Sequence, residues 1–145
     1  MTQNRNDRDS GGNSDPVQAA KTLAGGPGTV TPIRTATNAA LAPITVGQDP
    51  WAFAIAPDGQ TIYVTNYQSG TVTPIRTATN TALAPLRIGE SPLTIAITPD
   101  GQTAYVVFDS GPSRPGIVTP IQTATNQALK PIKVGSLPTP IAITP

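Results

Sequence analysis

The chain repeats itself every 42 residues, and that recurrence narrows the architectures open to it. The decapeptide Thr-Val-Thr-Pro-Ile-Arg-Thr-Ala-Thr-Asn occupies residues 29–38 and again 71–80, an offset of 42 (71 − 29). Residues 117–126 carry a third copy, Ile-Val-Thr-Pro-Ile-Gln-Thr-Ala-Thr-Asn, and Pro-Asp-Gly-Gln-Thr recurs at 57–61 and 99–103. A fixed period of this size marks one supersecondary unit that cannot bury its apolar faces alone and stacks on copies of itself.

The unit at residues 51–89 reads as four short strands. Ala52, Phe53, Ala54, Ile55 and Ala56 alternate small and large side chains at the two-residue period of a strand. The Pro57-Asp58-Gly59-Gln60 segment is a turn: Pro fixes φ, Asp bonds its own backbone and Gly takes a positive φ. Residues 61–65 are β-branched and aromatic, 66–70 form a loop, 71–76 a third strand, and 85–88 a fourth after the Thr-Ala-Thr-Asn turn. No segment shows a capped helical stripe. Four antiparallel strands every 42 residues or so describe a β-propeller blade, so the expected class is all-β, with blades stacked face to face and an incomplete ring in a single chain. A flat β-sandwich with the same strand lengths fits less well, because sandwiches seldom keep a strict sequence period.

The prolines add two expectations. Pro32, Pro74 and Pro120 fall inside the third strand, where a missing N–H predicts a bulge or a widened pair. Pro43, Pro85 and Pro131 start the outermost strand, where they protect the edge from pairing with other chains.

Tyr63-Val64-Thr65-Asn66 spells YVTN. With the Ile-Ala-Pro-Asp-Gly and Thr-Ala-Thr-Asn segments around it, the chain from Thr29 onward resembles the YVTN-repeat β-propellers. That resemblance implies a WD40-like fold, a bacterial or archaeal surface or exported protein, and a binding or scaffold role. Relatives of the family include propellers in quinohaem and haem-dependent enzymes. Tyr105-Val106-Val107-Phe108 departs from the signature at its last two positions, and the loop that follows is four residues longer than its counterpart. The family's third strand carries no Pro, which places this sequence on a variant branch.

The expected organisation is a polar disordered tail at 1–28 with a degenerate strand at 17–24, a partial blade at 29–47, full blades at 51–89 and 93–135, and the first strand of another blade at 139–145. Residues 29–145 hold about 2.8 units, whereas closed propellers use about 4–8 blades. Three arrangements answer the shortfall. The chain is a piece of a longer propeller protein, it folds as an open partial propeller, or two chains close a six-bladed ring as a homodimer.

Chemistry is sparse. The chain has no His and no Cys, which removes the commonest general base, the commonest metal ligand and every thiolate or disulfide. Asp58 and Asp100 hold the same turn slot in successive units, and that structural role accounts for them. No Gly-x-Ser-x-Gly occurs, and Gly25-Gly26-Pro27-Gly28 lacks the Lys-Ser/Thr ending of a phosphate loop. The reading is of a protein that is not an enzyme, with no catalytic, cofactor-binding or metal-binding residue and no cofactor. Net charge is +1 with only 12% charged residues, and the basic residues are scattered, which argues against nucleic acid as a partner. No apolar run approaches the ~20 residues of a membrane span, and residues 1–15 lack the apolar segment of a secretory signal.

What remains is a surface. In a propeller the loops from strand four to strand one and from strand two to strand three emerge on one face. Here these are 47–51, 89–93 and 135–139, with 66–70 and 109–116. They carry the candidate contacts for an unknown protein or small ligand: Asp49, Trp51, Tyr67, Glu90, Asp109 and Arg114. Trp51 also has a bland reading as core packing, because Leu93 fills its slot in the next unit. Tyr67 and Arg114 are the stronger contact candidates, since their counterparts differ between units.

Overall fold

The computed structural model describes residues 26–108, 110–139 and 141–144. Residues 1–25 of the expected tail, with the expected strand at 17–24, and Asp109 lie outside the described residues; Gly28, also expected in that tail, is instead bonded to Gly47 and Val46. Every regular element among the described residues is a β-strand, and all pairings are antiparallel. The outer part of one blade comprises β1 (Thr29–Val30) paired with β4 (Ile44–Thr45), and β2 (Ile33–Arg34) paired with β3 (Ala39–Ala40). The second blade runs β5 (Pro50–Ile55), β6 (Thr61–Asn66), β7 (Thr71–Arg76) and β8 (Thr81–Ala82), with β9 (Leu86–Arg87) also on β7. The third blade repeats this with β10 (Pro92–Ile97), β11 (Thr103–Phe108), β12 (Gly116–Gln122), β13 (Gln127–Ala128) and β14 (Ile132–Val134). The chain is all-β, built of propeller-type blades in an unclosed array. Of residues 139–145, expected as a first strand, the described ones, 139 and 141–144, lie outside any ladder.

The turns form for the reasons their residues give. Asp58 Oδ1 accepts from Gln60 N at 2.9 Å and Asp100 Oδ1 from Gln102 N at 3.0 Å, closing the same Asx turn twice. The hydroxyl of Thr98 also donates to Asp100, and these bonds hold the Asp100 carboxyl below its ordinary value. In the other hairpin Asn38, Asn80 and Asn126 all adopt φ between 50° and 53°, the left-handed region that Asn tolerates. A Thr in this turn ties the two hairpins of a blade together: Thr77 Oγ1 donates to Gly59 O and Thr123 Oγ1 to Gly101 O.

The third-strand prolines act on the opposite side from a simple bulge. The ladders Tyr63↔Pro74 and Tyr105↔Pro120 run through without a register shift. The absent N–H therefore faces the outer neighbour, and the outer strand divides there: β8 and β9 pair on either side of Pro74, and β13 and β14 on either side of Pro120. One bond spans each gap, Leu41 N to Pro32 O, Leu83 N to Pro74 O and Leu129 N to Pro120 O, at 2.8–2.9 Å. The fourth strand expected from sequence is thus two short pieces. The bulges lie elsewhere, in the first strand of each full blade, between Pro50 and Ala52 and between Pro92 and Thr94.

Apolar faces meet between blades. Ile44 and Val46 pack on Val64 and Ile75 at the first junction. Tyr63 and Val72 pack with Ile95, Val106, Phe108 and Ile121 at the second. The face-to-face stacking of blades expected from the sequence is incomplete at β5. Phe53 and Ile55 alternate outward as predicted but stay exposed, at 67% and 53%, because the described part of the preceding blade supplies only its outer strands.

Tyr63 joins neighbouring units directly. Its hydroxyl donates to Asn126 Oδ1 at 3.0 Å, so the Tyr of one unit bonds the Thr-Ala-Thr-Asn turn of the next. Burial first, and the Asp58 charge second, raise its pKa above the ordinary 10.0. A raised phenol pKa in the folded chain means that the unfolded chain releases its proton first. The stability Tyr63 contributes is therefore present below its ordinary pKa and lost as pH rises through the folded one. Tyr63→Phe is expected to lose about 1 kcal/mol at neutral pH. It should also flatten the alkaline decline, both read from urea unfolding on the two sides of that range; an unchanged alkaline slope would count against the assignment.

Candidate functional site

The loops on one face are locked to each other in pairs. Gly28 N donates to Gly47 O at 2.8 Å, Ile88 N to Gly70 O at 3.2 Å and Gly116 N to Gly135 O at 3.1 Å. All three units join the same two loops, with Gly28 and Gly116 donating across the joint and Gly70 accepting, its own N–H going to Asn66 O. The residue before each first-strand proline is left-handed: Asp49, Ser91 and Leu137 all have φ of 53–55°. That kink turns the Asp49 carbonyl to accept from Tyr67 N at 2.8 Å.

The kink and the bulge after it place Trp51. Pro50 pairs with Asn66 and Ala52 with Thr65, leaving Trp51 as the extra, unpaired residue. Its side chain turns out of the sheet, 62% exposed, and its ring meets that of Tyr67 with centroids 5.7 Å apart. Trp51 shares the exposed phase of β5 with Phe53 and Ile55, on the side where the described part of the preceding blade supplies no inner strand. Asp49, Trp51 and Tyr67 come together at one end of the face.

Tyr67 and Glu90 line a cleft of about 630 Å³ over the second blade, with Arg87 and Ser91 in its walls. Glu90 also borders a second cleft of about 500 Å³ between the second and third blades, where Arg114 stands opposite it. Five of the six sequence candidates thus lie along one continuous rim; the sixth, Asp109, lies outside the described residues. Arg87 and Lys133 were missed because each sits on an outer strand, and only its position beside the clefts gives it a role.

The interior beneath the rim differs between units. In the second blade Asn66 is fully buried, and its Nδ2 donates to Thr71 Oγ1 at 3.0 Å and Thr73 Oγ1 at 2.9 Å. In the third blade Phe108 stands at the matching place opposite Ile117, and Thr119 Oγ1, the counterpart of Thr73, is buried without a partner. Asn66 Oδ1 is likewise without one.

No three His, Cys, Asp or Glu residues gather as a metal site among the described residues, and no described helix is long and apolar enough to cross a membrane. The face offers aromatic rings, scattered charges and clefts, which suit binding.

No protein-family model matches the chain, and no curated protein does. Solved structures do. Hydrazine synthase from Kuenenia stuttgartiensis superposes with TM-score 0.70 at 28% identity, over 74% of this chain and 30% of that one. A functionally unknown protein from Desulfotomaculum acetoxidans gives 0.65 at 25% identity, over 73% and 33%. The WD40 repeats of RRP9 give 0.53 at 14% identity, over 62% and 27%. The fold and these likenesses define a β-propeller-type repeat protein. The chain spans about a third or less of the length of each of these structures.

Proposed function

We propose that the chain is a non-enzymatic binding or scaffold module of the YVTN type, holding a protein or small ligand on the loop rim. The observation that carries this reading is the Trp51–Tyr67 pair. Two aromatic rings in contact at 5.7 Å beside Asp49, Trp51 exposed at 62%, form the kind of anchor that binding surfaces use. The Tyr63-Val64-Thr65-Asn66 tetrapeptide supports the YVTN branch, and with it an exported or surface location. The absence of His and Cys from the sequence supports a non-catalytic role.

Trp51→Ala combined with Tyr67→Ala is expected to abolish retention of a partner from extract on immobilised chain, while thermal unfolding shifts by no more than a few degrees. A partner retained equally by wild type and variant would remove the rim from the account.

A second reading has its own support. Phe53 and Ile55 expose an apolar stripe on the face where the inner strands of another blade would stack. The chain then works as part of a longer propeller, cofactor-dependent enzymes included, or closes a six-bladed ring with a second copy. Light scattering over a concentration series separates self-association from the rest.

A further inference from the structure

The cleft between the second and third blades has the chemistry of a ligand site. Cross-strand partners share a sheet face, so Phe108, Ile117 and Lys133 form one row across β11, β12 and β14. The matching row of the second blade is Asn66, Thr71 and Arg87. The exchange replaces a hydrogen-bonded polar pair with an apolar floor, and the row ends in a cation in both blades. Thr119 lies on the same face two residues along β12, lining the cleft at 1% exposure, and its hydroxyl has no partner. The longer loop brings Arg114 and Pro115 over this floor, and Ile88 and Glu90 of the preceding blade close the other side.

From these placements we propose that the cleft binds a hydroxyaryl monocarboxylate. The proposal rests on reading the chain as a binding module and names a ligand for it. Arg114 and Lys133 hold the carboxylate at the rim, with the Arg fork suited to two parallel bonds. The aryl ring lies on Ile117 and against the ring of Phe108. The hydroxyl reaches Thr119, which otherwise keeps a buried polar group unsatisfied. One strand spacing of about 4.8 Å separates Lys133 from Ile117, and two residues of strand add about 6.6 Å, so the Cα atoms of Lys133 and Thr119 stand roughly 8 Å apart. A para-hydroxyaryl ring on a two-carbon acid arm lies along that diagonal, its acid end toward Lys133 and its hydroxyl toward Thr119. Glu90 across the cleft repels a second negative charge, which selects a monoanion over a phosphate or a dicarboxylate.

Calorimetric titration of the full chain with 3-(4-hydroxyphenyl)propionate tests this. Binding is expected, weakened tenfold or more in the Arg114→Gln, Lys133→Gln double variant, whose thermal unfolding confirms that it folds. On wild type, 3-phenylpropionate should bind about fivefold more weakly than the hydroxylated acid, and on Thr119→Val the two should bind alike. Absence of binding to folded wild type, equal affinity of the two acids on wild type, or indifference to the double variant would each overturn the proposal. None of these outcomes touches Trp51 and Tyr67, so the rim reading stands or falls by its own test.

Discussion

Gly70→Ala is expected to destabilise the fold by about 3 kcal/mol. Two costs add at this position. Gly70 has φ +64°, which an L side chain adopts at about 1–2 kcal/mol. A Cβ there would also lie 2.5 Å from the Gly89 carbonyl oxygen, in the clasp that joins the two loops, and a backbone atom cannot swing aside. Gly59 is the matched control. Its φ is +71°, yet a Cβ would meet nothing within 4 Å, so Gly59→Ala should cost only the conformational share, about 1–2 kcal/mol. Urea unfolding of both variants measures the difference. Equal losses would mean that the loops separate freely and that the clasp does not organise the rim.

The second large effect is an asymmetry between equivalent positions. Asn66→Ala is expected to cost about 3 kcal/mol, since it strands the buried hydroxyls of Thr71 and Thr73 and opens a void. Thr73→Val should cost about 1 kcal/mol by removing one of those bonds. Thr119→Val, one blade further on, should cost nothing or add up to about 1 kcal/mol, because the hydroxyl it removes has no partner to lose. Chemical denaturation of the three variants reads the series directly. A loss at Thr119 equal to that at Thr73 would show a bond there that the fold does not contain.

The parts of this architecture legible in the sequence are those decided by neighbours along the chain. Asp58-Gly59 and Asp100-Gly101 specify their turn by local bonding and a positive φ, and the structure forms it twice. Strands β6 and β7 follow from β-branched runs, and the alternation of Phe53 and Ile55 was right in phase. What escaped depends on contacts between distant segments. The bulge at Trp51 follows the left-handed Asp49, whose carbonyl accepts from Tyr67 N, and no two-residue period reveals that bond. The division of the outer strand depends on which side of β7 the Pro74 nitrogen faces, a matter of ladder register rather than of composition. For the candidate site, the loops named from the unit boundaries were the ones that converge. Phe108 was noticed only as a departure from a signature; its consequence for Thr119 emerges once the strands are paired.

The bond from Tyr63 to Asn126 gives the array a polarity. Donor and acceptor sit in different halves of the motif, so this joint between the second and third blades is made head to tail, and two copies could not satisfy each other face to face through it. An in-frame duplication of a unit holding both residues would bring its own tyrosine and its own asparagine, so the added joint would find a complete pair. Lengthening by whole units is therefore chemically neutral for this coupling, whereas a deletion that is not a multiple of the unit breaks it. Such a rule lets gene duplication alter blade number without inventing a new interface.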